Sequence, residues 1–210
     1  NLPAESLSYG NEWDLYCASM NETTAQVRRS LEKLRSAEAL ASIVALNNPN
    51  FAASLKRARQ QAWEALGFYW EHNWTADGPV TRPLRAEWQI KLQKQLANYV
   101  DSLFTLSSAA LGKQIKKSAN PRFYVFNPLS WTRDDVADLP YHTSEPIKVI
   151  DLSNQREVSH QMIVKGGQSF LRIEAKNLPS LGYKVFEIRQ GQATPKPTAA
   201  TLAGDYFSNA

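Results

Sequence analysis

The residues best suited to chemistry lie together in one stretch, Trp63 to Asp77, WEALGFYWEHNWTAD. It sets aromatic side chains around a Glu71-His72-Asn73 triplet, and Asp77-Gly78-Pro79 follows as a helix stop. An imidazole can ligate a divalent metal or carry a proton. The Asn73 amide both donates and accepts hydrogen bonds. Trp70 and Trp74 could stack on a sugar ring. The same residues also have a plain structural reading, since a lone histidine at a helix end is more often a cap or core residue than a ligand. Tryptophans four apart are also what a packed helix face presents. Ordinary glycoside hydrolysis needs two carboxylates flanking one sugar ring, and Glu71 and Asp77 qualify only by proximity. Spacing alone leaves the choice open.

The remaining candidates are weaker. Asp134-Asp135 reads as a solvated turn between strands, and His142 and His160 fall in β territory without acidic or cysteine neighbours at metal-ligand spacing. Cys17 is the sole cysteine, so no disulfide forms within the chain. Phosphate loops, dinucleotide fingerprints and nucleophile elbows do not occur. Asn21-Glu22-Thr23 and Asn73-Trp74-Thr75 match the glycosylation pattern, the second inside an expected helix.

Positioning these residues falls to an ordinary globular composition. The 210 residues are 43% hydrophobic and 21% charged, enough to bury a sizeable core and inconsistent with global disorder. Six tryptophans are assigned mainly to that core. A net charge of +4 carries no long basic run, so no nucleic-acid partner is expected. Lys56, Arg57 and Arg59 read as a solvated helix face. No stretch is apolar enough to cross a membrane, no membrane partner is expected, and the first ten residues lack a signal-peptide pattern.

Apolar spacing of three and four predicts three helices. The first runs from Glu12 to about Leu46 on Val27, Leu31, Leu34, Ala41 and Val44. The second runs from Phe51, with Asn50 as N-cap, to about Ala76. The third starts near Thr81 on Leu84, Trp88, Leu92, Leu96, Tyr99, Leu103, Leu106 and Ala110. Short connections make them an up-down-up bundle. After Lys117 the period drops to two, with strands expected at 123–127, 136–139, 147–152, 157–164, 169–176 and 183–189. The fold class is therefore α+β, a three-helix up-down-up bundle followed by part of an antiparallel β-sandwich. Expected domains are residues 1–118, 119–190, and 191–210 as a Pro/Thr/Ala-rich linker leading into the start of a truncated strand, as if the gene continued.

Two β motifs, RFYVFNPLSWTRDDVADLP (Arg122–Pro140) and LPSLGYKVFEI (Leu178–Ile188), resemble the opening of the C-terminal β domain of glycoside hydrolase family 38 α-mannosidases. EKLRSAEALAS and YWEHNWTADG resemble the helical middle domain of the same family. The resemblance implies a fragment of a metal-dependent retaining α-mannosidase acting on α-mannosides. Its nucleophile and three metal ligands would belong to an absent N-terminal barrel, and further β structure to an absent C-terminal part. His72 then aligns with a fourth ligand to a divalent metal, usually zinc. Asn73 stands where many members have a substrate-contacting Asp, and Trp74 would be a sugar platform. The fragment alone is expected to be inactive, to hold no metal tightly, and to come from a bacterium, periplasmic or cytoplasmic. The competing reading, from a different class, is a non-catalytic helical-plus-β module for carbohydrate binding or protein interaction.

Overall fold

The computed structural model describes residues 20–70, 80–195 and 200–209. It divides into two compact units, Asn1–Leu111 and Gly112–Ala210.

The first unit is helical. Helix α1 spans Asn21–Asn47, α2 Lys56–Tyr69 and α3 Arg82–Gln114. Contacts fix their directions. The start of α1 meets the end of α2 at Thr24 and Tyr69, and the end of α2 meets the start of α3 at Phe68 and Trp88. The helices run up, down and up. One core joins all three, with Val27, Leu34, Ala37 and Ala41 from α1, Ala62, Ala65, Leu66 and Tyr69 from α2, and Leu92, Leu96, Tyr99, Val100 and Leu103 from α3.

The start of α2 departs from expectation. Residues ahead of α2 form turns and a short 3-10 segment, Ala53–Leu55, and the position before α2 is Leu55, without a side-chain cap. Asn50 is therefore not the N-cap; its carbonyl instead accepts the Ala53 N–H in the preceding turn. Phe51 and Leu55 still pack on the core, as Ala58 within α2 does, which explains why they extend the apolar stripe beyond the helix.

Along α3 the buried line runs Gln89, Leu92, Leu96, Val100, Leu103, Ser107 and Leu111, while Leu84, Trp88 and Leu106 are exposed. A stripe fitted to hydrophobicity drifts off the true face over 33 residues. Two polar residues take buried positions, and the Ser107 hydroxyl has no hydrogen-bond partner among the described residues.

The second unit is antiparallel β. Its strands are β1 Arg122–Asn127, β2 Arg133–Pro140, β3 Ile147–Asp151, β4 Arg156–Val158, β5 His160–Lys165, β6 Gln168–Leu178 and β7 Gly182–Gln190. One sheet has the order β1-β7-β3-β4 and the other β2-β6-β5. Alternation places Leu171, Ile173 and Ala175 of β6 inward, against Val149 of β3 and Phe186 and Ile188 of β7. The strand expected at 157–164 is broken at Ser159, where the chain leaves β3 and begins to pair with β6. Gly166 and Gly167, at φ 55° and 78°, close the β5–β6 hairpin in a geometry that side chains resist.

Asp134-Asp135 is not a solvated turn. Both lie within β2, at a bulge where the Asp134 carboxylate accepts the Asn177 N–H at 2.7 Å. Near the end of the chain, strands β8 (Ala200–Ala203) and β9 (Tyr206–Asn209) pair as a hairpin, so β structure begins within the stretch whose composition suggests a linker.

One buried side chain locks an end of the sandwich. Asn127, 1% exposed, points its amide nitrogen at three carbonyls: Trp131 at 2.8 Å, Pro179 at 3.0 Å and Leu178 at 3.3 Å. Two protons serve three acceptors, so the longest contact is shared. Its oxygen accepts the Leu129 N–H at 3.1 Å. The β1–β2 loop is thereby tied to the β6–β7 turn, where Leu181 sits at φ 44° and donates to Leu129 O. Gly182 follows because a Cβ there would lie 2.9 Å from the Pro179 ring.

Candidate functional site

His72, Asn73 and Trp74, with Glu71 and Asp77, lie outside the described residues. What the structure shows is the helix that precedes them in sequence. Helix α2 ends at Tyr69, three residues before His72, and Trp70 follows as its cap residue.

The middle of α2 is held by one carboxylate. Glu38 of α1 accepts, on a single oxygen, Arg59 Nε at 3.0 Å, Trp63 Nε1 at 3.0 Å and Tyr99 OH at 3.2 Å. Two of those donors belong to α2 and the third to α3, so three helices meet at one acceptor. Burial, with the nearby Glu38 charge, pushes the Tyr99 hydroxyl up to about 12. The Tyr99 phenol therefore stays a donor throughout the physiological range.

The end of α2 is held differently. Tyr69 is buried, and its hydroxyl shares a 2.9 Å hydrogen bond with Thr24 Oγ1. Trp70 lies edge-on to the Tyr69 ring at 5.5 Å, and the Arg28 guanidinium stands 5.9 Å from a Trp70 ring.

Tryptophan use differs from expectation. Trp63, Trp88 and Trp131 are 44%, 37% and 59% exposed, not core residues. Trp63 keeps its indole N–H on Glu38, Trp88 leans on Phe68 at 6.1 Å, and Trp131 sits in the loop that Asn127 clamps. Phe68, Leu84 and Trp88 leave an apolar surface at the end of the bundle where α2 ends and α3 begins.

No group of three or more His, Cys, Asp or Glu side chains among the described residues could hold a metal ion. His160 lies on β5 and His142 between β2 and β3. The described residues therefore do not fit a complete metal centre, and no chemical step is routed through one. No helix among them is long and apolar enough to cross a membrane.

No family model matches the sequence, and no curated relative does. Solved structures do match. A protein in the glycosyl hydrolase family 38 from Enterococcus faecalis superposes with a TM-score of 0.59 at 15% identity, over 86% of this chain and 25% of its own. An α-mannosidase from Enterococcus faecalis V583 gives 0.59 at 14% identity, over 85% and 24%. In fold, this chain resembles part of glycosyl hydrolase family 38. It spans about a quarter of the length of those two structures.

Within this family 38-like fold, sequence reading missed the polar ties. Glu38 and Asn127 lie inside the motifs that carry the resemblance, yet nothing in their local spacing marks them, because the partners of Glu38 are 21 to 61 residues away and two of the three carbonyls that Asn127 reaches are 51 and 52 residues away. The β unit adds charged ties of its own. Hydrogen bonds from Arg189 and Arg122 hold the buried Glu187 carboxyl at about 2. Arg172 and Lys165 likewise hold Asp138 well below the usual carboxylate range. Burial raises Asp151, but Lys184 and Ser153 outweigh it and the net shift is downward.

These shifts carry a sign. A carboxylate depressed by folding contributes stability that is present above its unfolded pKa and is lost as pH falls through the folded one. For Glu187 that window runs from about 4.5 down to about 2. Glu187→Gln is therefore expected to flatten the acid-unfolding profile of the chain below pH 4.5, read by circular dichroism. A profile identical to that of the parent would exclude Glu187 as a source of the acid sensitivity.

Proposed function

We propose that this chain is the scaffold portion of a longer metal-dependent retaining α-mannosidase that hydrolyses α-mannosides. In this reading it supplies His72 as one ligand to a divalent metal such as zinc, with Asn73 and Trp74 meeting the sugar. The observation that supports it most is the shared fold with two family 38 structures across both units of the chain. The Glu71-His72-Asn73 triplet follows closely in sequence on α2, which is tied to α1 through the Glu38 carboxylate.

The roles divide by chemistry. When bound, the metal would polarise sugar hydroxyls as a Lewis acid. Asn73, carrying an amide where many family members carry a carboxylate, would hydrogen-bond a hydroxyl without adding charge. The helices and the sandwich hold these groups in place, and the nucleophile comes from the barrel that precedes them in the family.

The test is an assay of the longer protein on an aryl α-mannoside. Hydrolysis with retention of anomeric configuration is expected, and no hydrolysis of α-mannosides would refute the reading. For the chain alone, calorimetry at neutral pH is expected to give zinc binding weaker than micromolar, since missing ligands leave the ion to water. Tight one-to-one binding would instead point to a complete metal centre within the chain.

A further inference from the structure

Along the seam between α1 and α3 the helical unit carries a groove with a cavity volume of about 210 Å³, open to solvent, and every residue that lines it is polar. Gln26, Arg29, Ser30 and Lys33 line it from α1, at the steps of three and four that share one helix face. Gln93 and Asp101 face them from α3. The two helices run parallel, and a 2.7 Å bond from Lys33 Nζ to Asp101 Oδ1 closes one end of the groove. At 1.5 Å per residue, Gln26 lies about 10 Å back along α1, at about the level of Gln93.

The charges in this groove do not cancel. Lys33 is neutralised by Asp101 and also stands 5.0 Å from the Phe104 ring. Arg29 is exposed and has no hydrogen-bond or ion-pair partner among the described residues. Two cations against one carboxylate leave the lining with a net charge of +1. Gln26, Ser30 and Gln93 are half-buried, and their side chains are likewise without partners among the described residues.

The lining groups converge on one kind of ligand. A planar guanidinium fork matches a carboxylate bidentately, in a charge-assisted pair. The Gln26 and Gln93 amides and the Ser30 hydroxyl both donate and accept, and the second Asp101 oxygen accepts, a set that suits hydroxyl groups. We propose that the groove binds a monoanionic acidic sugar of the hexuronate type, with its carboxylate on Arg29 and its hydroxyls on the two amides. A neutral sugar would leave Arg29 unmatched, and an inorganic phosphate would leave the amides idle. The inference goes beyond the function proposed above and does not rest on it.

The test titrates the isotope-labelled chain with sodium glucuronate at constant ionic strength, following the side-chain N–H signals of Gln26, Arg29 and Gln93 by NMR. Saturable shifts with a Kd of about 1 mM are expected, the affinity that a ligand of this size draws from an open groove. Glucose, acetate and inorganic phosphate should each bind at least about tenfold more weakly, since each offers only one part of the recognised chemistry. Arg29→Gln should lower glucuronate affinity about tenfold. Gln93→Leu should leave acetate binding unchanged and cut the preference for glucuronate over acetate about threefold. Neither side chain is buried, so both variants should keep the parent's melting temperature. No saturable shift, equal affinity in Arg29→Gln, or an undiminished preference in Gln93→Leu would overturn the proposal. Glucose or phosphate binding as tightly as glucuronate would overturn the assigned ligand class.

Discussion

Replacing Asn127 by aspartate is expected to unfold the β unit at neutral pH. The substitution keeps the shape but removes both donated protons, and it turns a carboxylate toward the carbonyls of Trp131, Leu178 and Pro179. Three acceptors, one buried and two part-buried, lose their partner next to an uncompensated charge, a change that costs about 4 kcal/mol. That is a large part of the stability of any single domain. Asn127→Ala, which orphans the same groups without adding charge, should cost about 3 kcal/mol.

The aspartate variant has a signature that the alanine variant lacks. Its folded pKa would be raised, so its deficit should shrink below the ordinary carboxylate pKa, where the neutral acid regains one donor, and grow as pH rises. Urea titrations of the two variants at pH 4 and pH 7 would show this. Equal losses at both pH values for the aspartate form would mean that the Asn127 amide is not the donor to these carbonyls.

Glu38→Ala should loosen all three helices of the helical unit at once. It leaves Arg59, Trp63 and Tyr99 without their shared acceptor. The partly exposed Arg59 and Trp63 recover water, which limits the cost, but the Tyr99 hydroxyl is part-buried and does so less readily. A loss of about 2 kcal/mol follows. Glu38→Gln keeps one acceptor oxygen without charge and should lose about half as much. Thermal unfolding of the three proteins in parallel would order them, and a glutamine variant as weak as the alanine one would mean that position, not hydrogen bonding, matters at residue 38. The Tyr99 hydroxyl, freed from the Glu38 charge, should also ionise at lower pH in either variant.

Legibility followed the range of the interactions. The helical stripes of α1 and α2, the strand alternation of β6 and the Gly166-Gly167 hairpin depend on neighbours in sequence, and they read directly. Asn50 failed as a cap because a 3-10 segment intervenes before α2. Leu106 and Trp88 fit the apolar spacing yet are exposed, because hydrophobicity marks what could be buried, not which face a 33-residue helix turns inward. Glu38, Asn127 and Thr24 were illegible because a polar residue finds a distant partner only once the fold exists. The candidate site divides in the same way: residue types flagged His72 and Asn73, whereas the contacts of Tyr69 and Trp70, which precede them, with Thr24 and Arg28 of α1 arise only in the fold.

The most direct measurement compares the longer protein with its His72→Ala variant on an aryl α-mannoside under saturating substrate. A metal ligand at the reacting sugar supplies several kcal/mol of transition-state stabilisation, so turnover is expected to fall at least about a hundredfold, with thermal stability nearly unchanged. Equal turnover by variant and parent would contradict the claim that this helix end reaches the active site.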